Sequence, residues 1–295
     1  MIDGIVLLDK PKNLSSFTAV KAVKRIFNAQ KAGHTGTLDP IATGMLPICL
    51  GEATKFSQFL FNAHKTYEAT GVLGFATDTQ DLTGNIIATS AKKSVELVEL
   101  SQVLAKFTGK IAQVPPMYSA LKHQGKPLYK YARLGQEIER ASRVVEIMAI
   151  SLLALEKNCF KIRATVSKGT YIRTLIEDLG VALGSRAYMQ DLKRISIDGF
   201  ANMPMYSLEA LQKMPKNELA NILLPADFAV RSLPQLKVSW DDKLALYQGK
   251  LVSAKSVEAS LDLFSLWDAK GFFGVGELSR NLIKAKRLWR KTDEG

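Results

Sequence analysis

Apolar positions along the chain recur with two periods. Ile5, Val6, Leu7 and Leu8 form a continuous run closed by Asp9-Lys10-Pro11-Lys12-Asn13, which predicts a first strand over residues 4–9 and a turn after it. Ser15 or Ser16 then caps a helix in which Phe17, Val20, Val23, Ile26 and Phe27 recur at helical spacing, with Lys21, Lys24 and Arg25 mostly on the other face. Residues 44–51 read as a short buried strand bounded by glycines, and residues 52–62 as a helix turning Phe56, Phe59 and Leu60 inward. Strict alternation returns over residues 65–74, a strand, and the polar residues 77–85 form a turn before a return strand at Ile86-Ile87-Ala88.

Further on, residues 94–107 predict an amphipathic helix burying Leu97, Leu100, Leu104 and Phe107, stopped by Gly109. Residues 143–154 and 159–167 read as two strands about a turn at Glu156-Lys157-Asn158. A helix from Tyr171 to Leu179 follows and ends at Gly180, with Arg173 facing out, and residues 190–195 are extended. Residues 208–213 are helical, and Leu224-Pro225-Ala226-Asp227 ends a second short helix. Beyond Leu233-Pro234 the pattern shifts to short strands at 236–238, 251–252, 261–267 and 272–278, and a basic segment, 282–291, carries Lys284, Lys286, Arg287, Arg290 and Lys291. The division expected is a catalytic-sized domain over residues 1–232 and a small β module over 233–295.

Charge changes the picture more than composition does. The 295 residues are 47% apolar, ordinary for a globular chain, but 40 Lys+Arg stand against 28 Asp+Glu, a net +12. Such a balance points to a polyanionic partner, nucleic acid rather than membrane, since no basic amphipathic helix stands out. No run of about 18 apolar residues is present and the N-terminus lacks a basic leader, so neither a membrane span nor a signal peptide is expected. Two unpaired cysteines, Cys49 and Cys159, fit a reducing cytoplasm. The three histidines are scattered, and no metal site is expected. Residues 113–133 interleave Tyr118, Tyr129 and Tyr131 with Lys122, Lys126, Lys130 and Arg133, the composition of a surface that meets bases and phosphates, or of an irregular loop with tyrosines packed down.

The chemistry-bearing stretch is Gly33-His34-Thr35-Gly36-Thr37-Leu38-Asp39-Pro40. Its glycines allow unusual backbone angles, and Pro40 suits the first position of a helix continued by Ile41-Ala42-Thr43. That places the Asp39 carboxylate at a helix mouth, where its position alone reads as an N-cap. Arg173 opens a helix against its dipole, a position that calls for an acidic partner from elsewhere in the chain.

Five blocks in order resemble the TruB-type tRNA pseudouridine synthases: Leu8-Asp9-Lys10-Pro11 with Ser15-Ser16; Gly33 to Pro40 through Gly51-Glu52-Ala53-Thr54-Lys55; Lys65-Thr66-Tyr67 with Thr77-Asp78-Thr79; Pro115 to Ala120; and Ser167 to Thr174. The resemblance covers roughly residues 4–195. It implies an α/β (α+β) catalytic domain on a mixed, mostly antiparallel sheet with flanking helices, in which 113–145 is an RNA-contacting insertion, followed by a PUA-like RNA-binding module. It implies isomerisation of the T-loop uridine at tRNA position 55, with no cofactor and no metal, by a cytoplasmic monomer whose partner is the tRNA T arm. By position, Asp39 resembles the catalytic aspartate, Tyr67 the tyrosine stacking on the target base, and Arg173 the arginine pairing with the aspartate. His34, Lys55, Asp81, Tyr171 and Leu192 resemble substrate-binding positions. One place departs from the family pattern: Asn13 stands where a glycine is usual, and asparagine is, after glycine, the residue most tolerant of a left-handed turn.

Two other readings fit parts of the chain. An RNA-binding protein without catalysis would use the same basic, tyrosine-rich surface. A hydrolase of N-glycosidic bonds would pair Asp39 with Asp78 or Asp81 and release free base.

Overall fold

A computed structural model describes residues 2–254, 262–279 and 281–289. In chain order its first half runs β1 (Gly4–Lys10), α1 (Ser16–Ile26), β2 (Ala32–His34), β3 (Thr43–Leu50), a 3-10 turn (Gly51–Phe56), α2 (Ser57–Leu60), β4 (Lys65–Leu73), β5 (Phe75–Thr77), β6 (Ile86–Thr89), α3 (Leu97–Lys106) and β7 (Gly109–Gln113). The second half runs β8 (Lys122–His123), β9 (Lys126–Pro127), α4 (Leu128–Ala132), β10 (Arg143–Glu156), β11 (Cys159–Val166), α5 (Ile172–Ala182), β12 (Ala187–Ile197), α6 (Leu208–Lys213) and a 3-10 turn (Ala226–Val230). It closes with β13 (Gln235–Lys237), α7 (Trp240–Tyr247), β14 (Val252–Ser253), β15 (Leu263–Asp268), β16 (Gly271–Ser279) and β17 (Leu282–Leu288). The chain forms two compact units, one from residues 1–39, 46–62 and 199–295, the other from 40–45 and 63–198.

The second unit is built on a sheet in the order β12-β4-β11-β10-β7, antiparallel throughout, with the start of β3 pairing parallel to β12 at Thr43 and Gly44. The sheet is therefore mixed and mostly antiparallel, as expected. Strand β11 shows why: Phe160, Ile162, Ala164 and Val166 alternate into the core while the residues between them are more exposed. Helices α3 and α5 cover the sheet through Leu100, Val103 and Leu104 and through Ile172, Leu175, Ile176 and Leu179. Leu97, predicted inward, is 58% exposed: it is the first residue of α3, and burial begins one turn on, at Leu100. Helix α5 runs past Gly180 to Ala182. Gly180 stays inside it because a Cβ there would lie 2.5 Å from the Ala187 nitrogen, so the glycine serves close packing rather than a helix end.

In the first unit β1 lies beside β3, and β2 pairs antiparallel with it. Ser15 caps α1 by accepting from the Thr18 amide at 3.0 Å. Asn13 takes φ +62, the left-handed angle that its place in the turn requires. Phe17 departs from its predicted inward face. It is 65% exposed, with the Lys21 ammonium 4.5 Å from its ring centre. Residues 224–227 begin a 3-10 turn rather than end a helix, Pro225 preceding it.

The C-terminal residues of this unit form a five-stranded sheet, order β13-β15-β16-β17-β14. Its core is Leu246, Val252, Leu266, Phe273 and Ile283. It is not all β: Ser239 caps α7, accepting from Asp242 at 3.1 Å. Part of the strand predicted over 261–267 and the basic residues Arg290 and Lys291 lie outside the described residues. Among the described residues no helix is long and apolar enough to cross a membrane.

Candidate active site

The turn after β5 is wound around one carboxylate. Asp81 is buried, and its Oδ1 accepts from the Thr83 amide at 2.9 Å, the Thr83 hydroxyl at 2.6 Å and the Thr79 hydroxyl at 2.8 Å. The Thr77 hydroxyl donates to the Asp81 carbonyl at 2.7 Å. An aspartate surrounded by threonines at i−2 and i+2 folds locally into an Asx-type turn, which leaves its second oxygen aimed away.

That second oxygen lies 3.9 Å from Nη1 of Arg173. Arg173 sits in the first turn of α5 and is only 4% exposed, so it does not face out as its sequence position suggested. Its Nη1 donates to the Thr79 carbonyl at 2.9 Å and its Nη2 to the Tyr118 carbonyl at 2.8 Å. Burying a guanidinium at the positive end of a helix is costly unless its protons and charge are met, and here two carbonyls from distant segments take protons while the Asp81 carboxylate lies at ion-pair range. Tyr171, one residue before the helix, is held the same way. Gln113 at the end of β7 accepts from its amide at 2.8 Å and donates to its carbonyl at 3.1 Å.

The register places Tyr67 of β4 opposite Arg194 of β12 and Ala164 of β11, and Ala69 opposite Leu192. Directly paired antiparallel residues share a face, so Tyr67 and Leu192 lie diagonally on one face of the sheet. Tyr67 is half-buried and Leu192 buried. Lys65, two residues before Tyr67, is buried too. Burial first, and then the Arg194 guanidinium, lower its pKa to about 8. Arg194 is buried, and its Nε donates to the Met45 carbonyl at 2.7 Å.

His34, Asp39 and Lys55 belong to the first unit, while Tyr67, Asp81, Tyr171, Arg173 and Leu192 belong to the second. His34 ends β2, paired with Ile48. The loop from Thr35 to Asp39 follows, and Gly36 takes φ +80 within it. Buried Ser16, at the start of α1, fixes that loop by donating to the Leu38 carbonyl and accepting from its amide, both at 2.9 Å. No helix follows Asp39. Residues 40–41 turn and β3 begins at Thr43, so Asp39 is a half-buried loop carboxylate and not an N-cap. With Gly44 at φ +94 and an apolar strand beyond it, three residues leave no length for a helical turn. Lys55 is ion-paired with Glu52 and also donates to the Leu288 carbonyl at 3.3 Å.

Three contributors were not foreseen: the carbonyls of Thr79 and Tyr118, and the Gln113 amide. Backbone carbonyls carry no sequence signal, and Gln113 has none beyond its place at a strand end.

Residues 24–172 match the family described as TruB family pseudouridylate synthase (N terminal domain), and residues 173–231 match the tRNA pseudouridylate synthase B C-terminal domain. A protein of Legionella pneumophila subsp. pneumophila (strain Philadelphia 1) called tRNA pseudouridine synthase B is 46% identical over 290 residues, covering 97% of this chain and 95% of that protein. One of the same name from Nitrosospira multiformis is 47% identical over 300 residues, covering 98% and 96%. A crystal structure of a Cbf5-Nop10-Gar1 complex contains a chain 26% identical, with a TM-score of 0.78 and coverage of 98% of this chain and 86% of that one. The chain belongs to the TruB family of pseudouridylate synthases.

Proposed function

We propose that the protein isomerises the uridine at position 55 in the T loop of tRNA to pseudouridine. The N1 glycosidic bond breaks, the base turns, and C5 takes its place on the ribose. The C5 proton is lost and N1 gains one. The reaction is redox-neutral, so carboxylate, aromatic and cationic side chains suffice for it. Asp39 supplies the carboxylate, either as nucleophile toward base or sugar or as base toward a sugar proton. The Tyr67 ring stacks on the base once it has left the RNA stack, an exit that costs a few kcal/mol and of which stacking recovers about 1–3 kcal/mol. Arg173 balances the charge of the reacting carboxylate. His34, Lys55, Asp81, Tyr171 and Leu192 hold the RNA or line the pocket. The enzyme acts as a monomer in the cytoplasm, residues 113–145 contact the RNA, and residues 233–295 are its PUA-like RNA-binding module.

The observation that carries this reading is Arg173: a buried guanidinium fixed by two carbonyls beside Asp81 is unneeded by a protein that only binds RNA. The net charge of +12 supports the polyanionic substrate. The test is a T-arm stem-loop RNA carrying tritium at uridine C5. Tritium release with pseudouridine at the one T-loop position is expected. Tight binding without release would instead support a non-catalytic binder, and free uracil a glycosidase.

A further inference from the structure

The turn that holds Arg173 is itself fastened to the helix that carries Arg173. Gln80, between Thr79 and Asp81, adopts φ +62, a left-handed angle that a long side chain rarely takes. Its amide reaches α5 at both ends. Its Nε2 donates to Glu177, and its Oε1 accepts from the Thr174 hydroxyl at 3.0 Å. Thr174 and Glu177 stand three residues apart, one turn along the helix face that follows Arg173. The Gln80 backbone is also engaged: its amide donates to the Thr77 carbonyl at 3.1 Å, and its carbonyl accepts from the Met189 amide of β12 at 3.0 Å. Met189 in turn accepts from the Leu82 amide at 2.9 Å.

The neighbours of Gln80 are the two residues that receive Arg173, Thr79 through its carbonyl and Asp81 through its carboxylate. A rotation of the turn about Gln80 would withdraw both together. We infer that Gln80 is a positioning residue for Arg173: its carboxamide clasps the 77–85 turn to α5, fixing the guanidinium by way of Thr79 and Asp81. A carboxamide suits the place because one end must donate to a carboxylate while the other accepts from a hydroxyl. An alanine satisfies neither partner and leaves the left-handed backbone without its restraint. This inference rests on the isomerase reading given above.

The test combines Gln80→Ala, Gln80→Glu and the exchange Gln80→Glu/Glu177→Gln. The double variant keeps the donor and acceptor count, with the carboxamide now on the helix and the carboxylate on the turn. Single-turnover pseudouridine formation and RNA affinity are measured on the T-arm stem-loop, and hydrogen exchange is followed at the Leu82 and Met189 amides. Gln80→Ala is expected to slow the chemical step on the order of ten- to a hundredfold, the usual consequence of misplacing a catalytic group. Its RNA affinity should stay within about twofold and its Met189 amide exchange faster. Gln80→Glu should be similarly slow, and the double variant should recover most of the rate. A rate for Gln80→Ala within twofold of wild type, or a double variant no faster than Gln80→Glu, would overturn the inference. A wild-type protein that forms no pseudouridine, with Met189 exchange still raised in Gln80→Ala, would leave the clasp as structure only and refute the isomerase reading instead.

Discussion

Replacing Asp178 by asparagine should stabilise the protein, by an amount that grows with pH. Asp178 lies on α5, five residues beyond Arg173, half-buried and next to Glu177. Burial first, and then the neighbouring Glu177 carboxylate, raise its pKa from 3.8 to about 6. The native state therefore holds this proton more tightly than the unfolded chain does. Well below pH 3.8 both states are protonated and the group costs nothing. As pH rises to 6 the unfolded chain ionises first, and native stability falls; above 6 the penalty is constant. From 3.8 and about 6, the penalty is about 1.6 kcal/mol at pH 5 and about 3 kcal/mol at pH 7.5. Solvent reaching a half-buried group screens this by about half, leaving roughly 0.8 and 1.5 kcal/mol. Asparagine has the same shape and nearly the same helix propensity, so the variant isolates the ionisation. Urea denaturation of both proteins at pH 5 and pH 7.5 measures it. The variant should have the higher midpoint at both, with the gap nearly doubling between them. A variant less stable at pH 7.5, or a gap independent of pH, would show that ionised Asp178 does not destabilise the native state.

Gly44→Ala should destabilise by about 3 kcal/mol or abolish soluble expression, since its φ is +94 and a Cβ would lie 2.3 Å from the Arg194 carbonyl; chemical denaturation reads this. Phe56→Ala should cost about 3–5 kcal/mol, because the buried ring packs edge-on against Phe272 at 5.1 Å and stacks near Trp289 at 6.1 Å; the loss should appear in the tryptophan fluorescence transition. Gln substitutions at exposed Lys284 and Arg287 should weaken tRNA binding and lower the salt slope by about one per lost phosphate contact, without changing the single-turnover rate; an unchanged slope would remove this strand from the RNA surface.

What the sequence made legible was local. Alternation marked β4, the Ser15-Ser16 pair marked the start of α1, and Asn13 was rightly assigned a left-handed angle. What it hid was set by distant partners. Arg173 reads as exposed on any helical wheel, yet carbonyls 94 and 55 residues away bury it. Gly180 reads as a helix end, yet the approach of Ala187 makes it a packing glycine inside the helix. The helix expected after Asp39 had a proline start and no length, and the pairing of β3 with β12 took Thr43 from it. Helix α7 could have been found: Ser239 followed three residues later by Asp242 is a capping pattern, and its low amphipathic contrast concealed it.

The role proposed for the Asp39 carboxylate is open to a direct test. The direct measurement compares wild type with Asp39→Asn on C5-tritiated T-arm RNA, recording binding and tritium release together. Unchanged binding, release by the wild type and no release by the variant are expected. Release by Asp39→Asn near the wild-type rate would contradict that role.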